Sequence, residues 1–354
     1  MTEASERGPD SLLIETIGAD PLVVSRNGRV REFRKLRNEL RGNDLSTAIG
    51  VVDRVRKSRA PEQGPGHAAF PIISPDGAVA GVHITLGTGP RPEPPRVGAS
   101  YWELATPTEV PRLHLSTEIL DIMGTPLEYR DRSIYGPFDF CGPIVRTRDL
   151  LLTWEQIASA APGSAEVGQF VLRGAGGKLV ALQYAHRYVD TDVGPRLRGI
   201  VQDVTDQIDT AELALDLVDA GITSTAITAT GQFGALVDFR GTWPVVLKWL
   251  TPLMEGAGHG VSTGQAPGLH PEDMARIPEL IGPALQGETV VDKVRTRNPA
   301  GGWIWSEVVA RQVDPVTAPT VGLVLFTPGH TEATAQPPGH LPLPLTEESA
   351  TRSS

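Results

Sequence analysis

The chain has 354 residues, 40% of them hydrophobic and 21% charged, with a formal net charge of −10. Such a length predicts two to three domains, each with enough chain to bury a core, and the composition excludes a disordered polymer. The negative balance argues against nucleic acid as the main partner, because phosphate binding needs a dense basic surface.

Met1 to Asp10 is polar, predicts a loose start, and lacks the basic-then-apolar pattern of a secretory signal. Leu12-Leu13-Ile14 and Leu22-Val23-Val24 predict two short strands about the turn Gly18-Ala19-Asp20-Pro21. Val30 to Lys57 is expected to be helical, with Phe33, Leu36 and Leu40 spaced by three and four, and Asp44 or Ser46 capping a second helix. The stretch is locally basic, carrying Arg29, Arg31, Arg34, Lys35, Arg37 and Arg41, then Arg54, Arg56, Lys57 and Arg59. A solvated face accounts for it, and an anionic partner surface is the rival reading. Phe70-Pro71-Ile72-Ile73 and Ala78 to Leu86 predict a hairpin closed by Ser74-Pro75-Asp76-Gly77, where proline sets φ and glycine accepts positive φ. The proline-rich connector Gly87 to Gly98 then marks a domain boundary, since proline fixes φ and removes donors.

The middle region begins with a strand at Tyr101-Trp102-Glu103-Leu104. Ser116 is expected to cap a helix that stops at Gly124, with Pro126 beyond it. Tyr129 to Val145 reads as loop, Leu150 to Ser159 as helix, and Gln169–Leu172, Leu179–Tyr188 and Leu197–Val204 as strands. A connecting helix over Gln207 to Ala220 carries Ile208, Ala211, Leu215 and Val218 at alternating three- and four-residue intervals, with Gly221 at its C′ position. Its two heptads fall short of the three to four of a self-sufficient coiled coil.

Ile222 to Thr230 and Phe233 to Phe239 predict a hairpin, and Trp243 to Leu250 an apolar helix. The loop Gly256 to Gly268 carries five glycines. His270-Pro271-Glu272-Asp273 then starts a helix, with proline at N1 and acids on the positive helix end. Two strands meet at Asn298-Pro299-Ala300-Gly301-Gly302. In the second, Trp303, Trp305 and Val309 share one face while Ile304, Val308 and Ala310 share the other, so both sides need cover. Residues 330–354 are rich in Pro, Ser, Thr and Glu and are expected to be disordered.

Signatures of chemistry are missing from the sequence: it contains no GxxxxGK[ST], GxSxG, HExxH or paired CxxC. A single cysteine, Cys141, excludes a disulfide framework, and its Asp-Phe-Cys-Gly-Pro setting reads as an inert buried thiol. The histidines do not cluster as ligands. His83 and His186 lie in strands, His114 precedes a helix, and His270 reads as a helix cap. No metal site, catalytic residue or cofactor is expected, and the ligand is left unassigned.

The stretch Leu269 to Phe326, with its short helix and Gly-Trp hairpin before a long strand, resembles the second half of a PAS domain. Residues from Ser116-Thr117-Glu118-Ile119-Leu120-Asp121-Ile122-Met123-Gly124 to the terminal Asp203-Val204-Thr205-Asp206 look like a second PAS module. Strand–helix–helix–hairpin at the start is GAF- or PAS-like in outline. Together with Glu15-Thr16-Ile17-Gly18-Ala19-Asp20 and Gly81-Val82-His83-Ile84, the layout resembles an uncharacterised actinobacterial (mycobacterial-type) family of tandem GAF/PAS-like sensor proteins lacking an output domain. The resemblance implies an α+β chain of three domains, each an antiparallel sheet flanked by helices. The domains fall at 11–90, 99–206 and 222–329, with a linker at 91–98 and a connecting helix at 207–221. It further implies a non-catalytic cytoplasmic signalling sensor or scaffold, acting by protein–protein contact and gated by a small apolar ligand, with haem or flavin in a PAS cavity as the alternative and an enzyme of unrecognised type as a third. The partner is expected to be a second copy or another signalling protein. The candidate interface residues are Trp303, Trp305 and Val309 on the sheet, and Leu215 and Val218 on the connecting helix.

Overall fold

The computed structural model describes residues 9–88, 93–104, 109–259, 262, 268–298 and 301–333. Three antiparallel sheets follow one another along the chain. The first is built from β1 (Asp10–Glu15), β2 (Leu22–Arg26), β3 (Arg29–Lys35), β4 (Glu62–Gly64), β5 (His67–Ile73) and β6 (Val79–Leu86), with α1 (Leu36–Glu39) and α2 (Gly42–Ser58) inserted after β3. Ala48, Val51, Val52 and Val55 recur at three- and four-residue intervals on α2 and bury against Leu12, Ile14, Val82 and Ile84 of the sheet.

The middle sheet holds β7 (Val97–Glu103), β8 (Arg112–Leu115), β9 (Ala165–Arg173), β10 (Leu179–Thr191) and β11 (Gly194–Asp203). Between its second and third strands run α3 (Thr117–Met123), α4 (Pro137–Cys141) and α5 (Thr147–Ala158). Gly124 ends α3 at φ 64°, the left-handed position a glycine adopts without steric cost. After α6 (Thr210–Thr228), the third sheet holds β12 (Phe233–Asp238), β13 (Val245–Trp249), β14 (Val290–Arg297), β15 (Trp303–Asp314) and β16 (Ala318–Ala333). The short α7 (Pro271–Met274) and α8 (Ile277–Ala284) precede β14.

One topology recurs. Numbered within each sheet, the middle and third sheets both run 2-1-5-4-3, and the first runs 3-2-1-6-5-4, the same order with β3 added at its edge. The α+β class and the three-sheet organisation agree with the reading of the sequence.

Several local expectations are overturned. Val30 to Lys35 is strand β3, because its backbone pairs with β2 and that tertiary pairing outweighs helical spacing. Leu36 and Leu40 do reach the core, but Phe33, at φ 47°, turns the opposite way and lies under Arg187 of the middle sheet. The β-branched run Val245-Val246 forms a strand on β12 where an apolar helix was expected. Helix α6 does not stop at Gly221 but continues to Thr228, so Ile222 to Thr228 is helix and not the first arm of a hairpin. Ser116 precedes α3 but its hydroxyl accepts from the Ala99 amide and makes no helix cap. The expected linker ends early, since Val97 already belongs to β7, and β16 runs through the first residues of the expected disordered tail. The expected loose start at residues 1–8 and the tail beyond 333 lie outside the described residues.

The sheets pack in series. Leu13, Val24, Ile72 and Ala80 of the first sheet bury against Ala99, Ala185 and Ile200 of the middle one. Leu236, Leu247, Ala318 and Val321 of the third join the middle core around Trp102 and Trp154.

Candidate interaction surface

Strand β15 keeps an uninterrupted register with β14, pairing Trp303 with Arg297, Trp305 with Arg295 and Val309 with Val291. The alternation read from the sequence therefore holds, and Trp303, Trp305 and Val309 share a face. Burial separates them. Trp303 is 4% exposed, edge-on to His270 at 4.9 Å and beneath the Arg297 guanidinium at 5.0 Å. Trp305 is 40% exposed with Arg295 at 5.3 Å over its ring, and Val291, paired with Val309, is 61% exposed. Trp303 thus belongs to the packed body of the third sheet, whereas Trp305 faces outward, separated from Val309 and Val291 by the exposed pair Glu307 and Lys293. On the opposite face, Val308 and Ala310 pack into the third core with Val237, Val324 and Phe326.

An ion cluster holds the arginine that covers the Trp305 ring. Arg295 donates to Asp273 at 2.9 Å and to Glu272 at 2.8 Å. Burial pushes the Asp273 carboxyl up, but the hydrogen bonds and charge of Arg295 outweigh it and hold the group below the usual carboxylate range. His270 accepts from the Glu272 amide through Nδ1 at 3.2 Å, the helix-cap role its sequence implied.

Leu215 and Val218 lie on α6, 67% and 57% exposed, and Ile222 one turn further on is 61% exposed. The opposite side of the helix buries Leu213, and Leu217 packs with it beside Val145, Val171 and Ala181 of the middle module. Near its end Ile227 approaches Gly234 of β12, where an added Cβ would lie 3.0 Å from Ile227 Cδ1.

Sequence reasoning missed the polar contacts that hold the sheets together. Buried Glu15 pairs with Arg187 at 3.1 Å, and Asp76 of the β5–β6 turn takes Arg196 at 2.8 Å and Arg198 at 2.5 Å. Trp154 Nε1 donates to Asp238 Oδ2 at 2.7 Å, and Arg240 pairs with Glu155. Lys248 donates to the Ile144 carbonyl and, with burial the cause, is lowered to about 8. Partners more than 70 residues apart leave no local signal, although Glu15 lies within one of the stretches that carried the family resemblance.

Large side chains of the middle module lie over two of its glycines. Tyr184 donates to Gln156 Oε1 at 2.5 Å and covers Gly168, while His186 covers Gly199 so closely that an added Cβ would lie 1.9 Å from its ring. Cys141 is fully buried, and burial pushes its thiol well above the ordinary value. His114 stacks on Tyr101 at 4.3 Å and lies 3.2 Å from Glu103. Among the described residues no three His, Cys, Asp or Glu side chains converge as metal ligands, and no helix is long and apolar enough to cross a membrane.

The two tryptophans are expected to respond differently to substitution. Trp303→Ala should cost about 3–4 kcal/mol of stability, the usual toll of emptying a buried aromatic site. Trp305→Asp should change it by less than about 1 kcal/mol. Urea unfolding of both variants checks this, and equal losses would contradict the burial difference.

Comparison with known proteins agrees with this architecture. Residues 10–95 match the family model described as Rv3651-like, N-terminal. No curated protein matches the chain. A solved, uncharacterised protein from Mycobacterium tuberculosis is 20% identical, with 90% of this chain and 95% of that one covered and a TM-score of 0.67. An RNA-binding light-oxygen-voltage receptor is 12% identical over 65% of this chain and 94% of that one, and its TM-score of 0.24 carries no argument. At 20% identity, the likeness to the mycobacterial structure is one of fold, extending across nearly the whole length of both chains.

Proposed function

We propose that the chain is a non-catalytic sensor or scaffold made of three PAS-type modules, of the mycobacterial-type family suggested by its first domain, and that it acts through protein–protein contacts. The observation that carries this reading is the threefold recurrence of one sheet order, joined by contacts that run from module to module. Charged side chains of the kind that enzymes use for acid–base work, Glu15, Asp76 and Asp238, are engaged here in joining sheets. What faces outward is Trp305, half exposed among Arg295, Lys293 and Glu307, and aromatic side chains dominate protein interfaces. A small apolar ligand would act by binding one arrangement of the modules better than another, and only to the extent of that difference.

Photo-crosslinking tests the reading in the cells that make the protein. A photo-reactive phenylalanine at position 305 is expected to give a discrete protein adduct, whereas the same group at Val316, 88% exposed on the β15–β16 turn, should give none. Equal labelling at both positions, or none at 305, would remove the sheet face as a contact surface.

A further inference from the structure

The joint between the first and middle modules carries polar atoms that no described residue satisfies. On the middle sheet, Ala185, Ile200 and Ala99 form one row across the strands, and Gln183, Gln202 and Val97 form the next on the same face. That face meets the first sheet, since Ala99, Ala185 and Ile200 pack with Leu13, Val24 and Ile72. On the first sheet the facing row holds Leu13, His83 and Phe70. Contacts at the other end align the two sheets. Arg198 pairs with Asp76, and a Cβ added to Gly81 would lie 3.2 Å from Ile200 Cγ2, so β6 and β11 run the same way across the joint. Two residues on from Gly81 and Ile200, His83 comes over Gln202. Gln183 reaches the first sheet directly, its Nε2 donating to the Val24 carbonyl at 2.9 Å.

Three atoms in this joint lack a partner among the described residues: Gln183 Oε1, Gln202 Oε1 and His83 Nδ1, on side chains 2%, 4% and 2% exposed. The bond to Val24 fixes which end of the Gln183 amide is free. A buried acceptor left unmet keeps its whole desolvation penalty, which exceeds what a hydrogen bond contributes when made. Protein interiors rarely leave one such atom bare, and three together call for an occupant. We propose that the joint is a binding site for a small neutral molecule that donates hydrogen bonds. Carboxamide oxygens only accept, so the occupant brings N–H or O–H groups to Gln183 and Gln202. His83 Nδ1 accepts from it or donates to it, because Nε2, 2.8 Å from Ser11 Oγ, can take either role. The occupant is neutral because these rows offer it no counter-charge. Burial keeps His83 uncharged, lowering it to about 4, and the ion pairs Glu15 with Arg187 and Asp76 with Arg196 and Arg198 are already matched at the other end. Water is the smallest molecule of this kind, and an amide or alcohol that enters as the modules part is a larger one of the same chemistry. Either bridges the two modules through hydrogen bonds, unlike the apolar ligand of the reading above.

A high-resolution crystal structure of the full-length chain reads the site without any variant. Density bridging Gln202 to Gln183 or His83 is expected. A spherical peak assigns water, and an extended one, matched by an added mass in native mass spectrometry of the same preparation, assigns an organic molecule. An empty joint would overturn the proposal. Gln202→Met keeps the length of the side chain and removes its acceptor, which gives a second readout in urea unfolding. With an occupant bonded to Gln202, the variant should unfold at a lower urea concentration than the wild type. An unchanged or higher midpoint is the signature of a bare amide, whose removal takes away an unmet group, and it would overturn the site as well. Neither measurement involves Trp305, so failure here leaves the contact reading to be judged by photo-crosslinking.

Discussion

Replacing Trp154 with alanine is expected to lower the unfolding free energy by about 4 kcal/mol and to loosen the third sheet from the middle one. The indole is 1% exposed and meets Trp102 edge-on at 6.2 Å, within the same cluster that receives Leu236, Leu247, Ala318 and Val321 from the third sheet. Its Nε1 is also a donor to Asp238 Oδ2, while Thr320 Oγ1 at 2.6 Å and the Arg240 amide at 3.1 Å supply Oδ1. Trp154→Phe separates the two contributions. It keeps most of the packing but deprives a 3% exposed carboxylate of one donor, which should cost about 1–3 kcal/mol. The coupling is checked by a double-mutant cycle with Asp238→Ala in urea unfolding, monitored by fluorescence. If Trp154→Phe were neutral, or if the two changes simply added, the hydrogen bond would not be what joins the sheets.

What the sequence disclosed followed the range of the physics involved. Turn chemistry at Ser74-Pro75-Asp76-Gly77 and the glycine stop at Gly124 act over a few residues, and both were read correctly. The alternation along Trp303 to Ala310 was legible for the same reason, because side-chain period depends on the strand alone. Which member of the alternating set is covered depends on His270 and Arg297, reached through a helix and a neighbouring strand, so the burial of Trp303 was not legible. Val30 to Lys35 and Val245 to Trp249 were misread because pairing with β2 and β12 decided their backbone conformation. Gly221 was taken as a helix end on propensity, yet an internal glycine costs a helix only about 1 kcal/mol, and flanking turns that bury Leu213 and place Ile227 over Gly234 offset that. Of the seam read from spacing, Leu215 and Val218 are exposed on α6, whereas Ile208 precedes the helix and packs into the middle module, and Ile222 was hidden by the misplaced end.

Mild acid is expected to destabilise the protein between pH 6.5 and about 4, well before most carboxylates titrate. His83 and His186 are 2% and 4% exposed, and burial lowers each from an ordinary 6.5 to about 4. Above pH 6.5 both are neutral whether the chain is folded or not, and their contribution to stability is complete. As pH falls below 6.5 the unfolded chain takes up a proton at each site while the folded chain refuses it, so stability declines until about pH 4, where both states are protonated. The loss amounts to at most about 3 kcal/mol per site. The two sites report on different places. His83 pairs with Ser11 Oγ at 2.8 Å on the side of the first sheet that carries Leu13 toward the middle module, and His186 stacks on Tyr184 at 4.8 Å inside the middle module itself. His186→Phe keeps the ring over Gly199 and His83→Gln keeps a partner for Ser11, so each should flatten the profile by up to about 1.4 kcal/mol per pH unit without abolishing folding. Chemical unfolding at half-unit steps from pH 7.5 to 4 measures the slopes. If either variant retained the wild-type slope, its histidine would be protonated in the folded chain, and the packing around it would have to admit the charge.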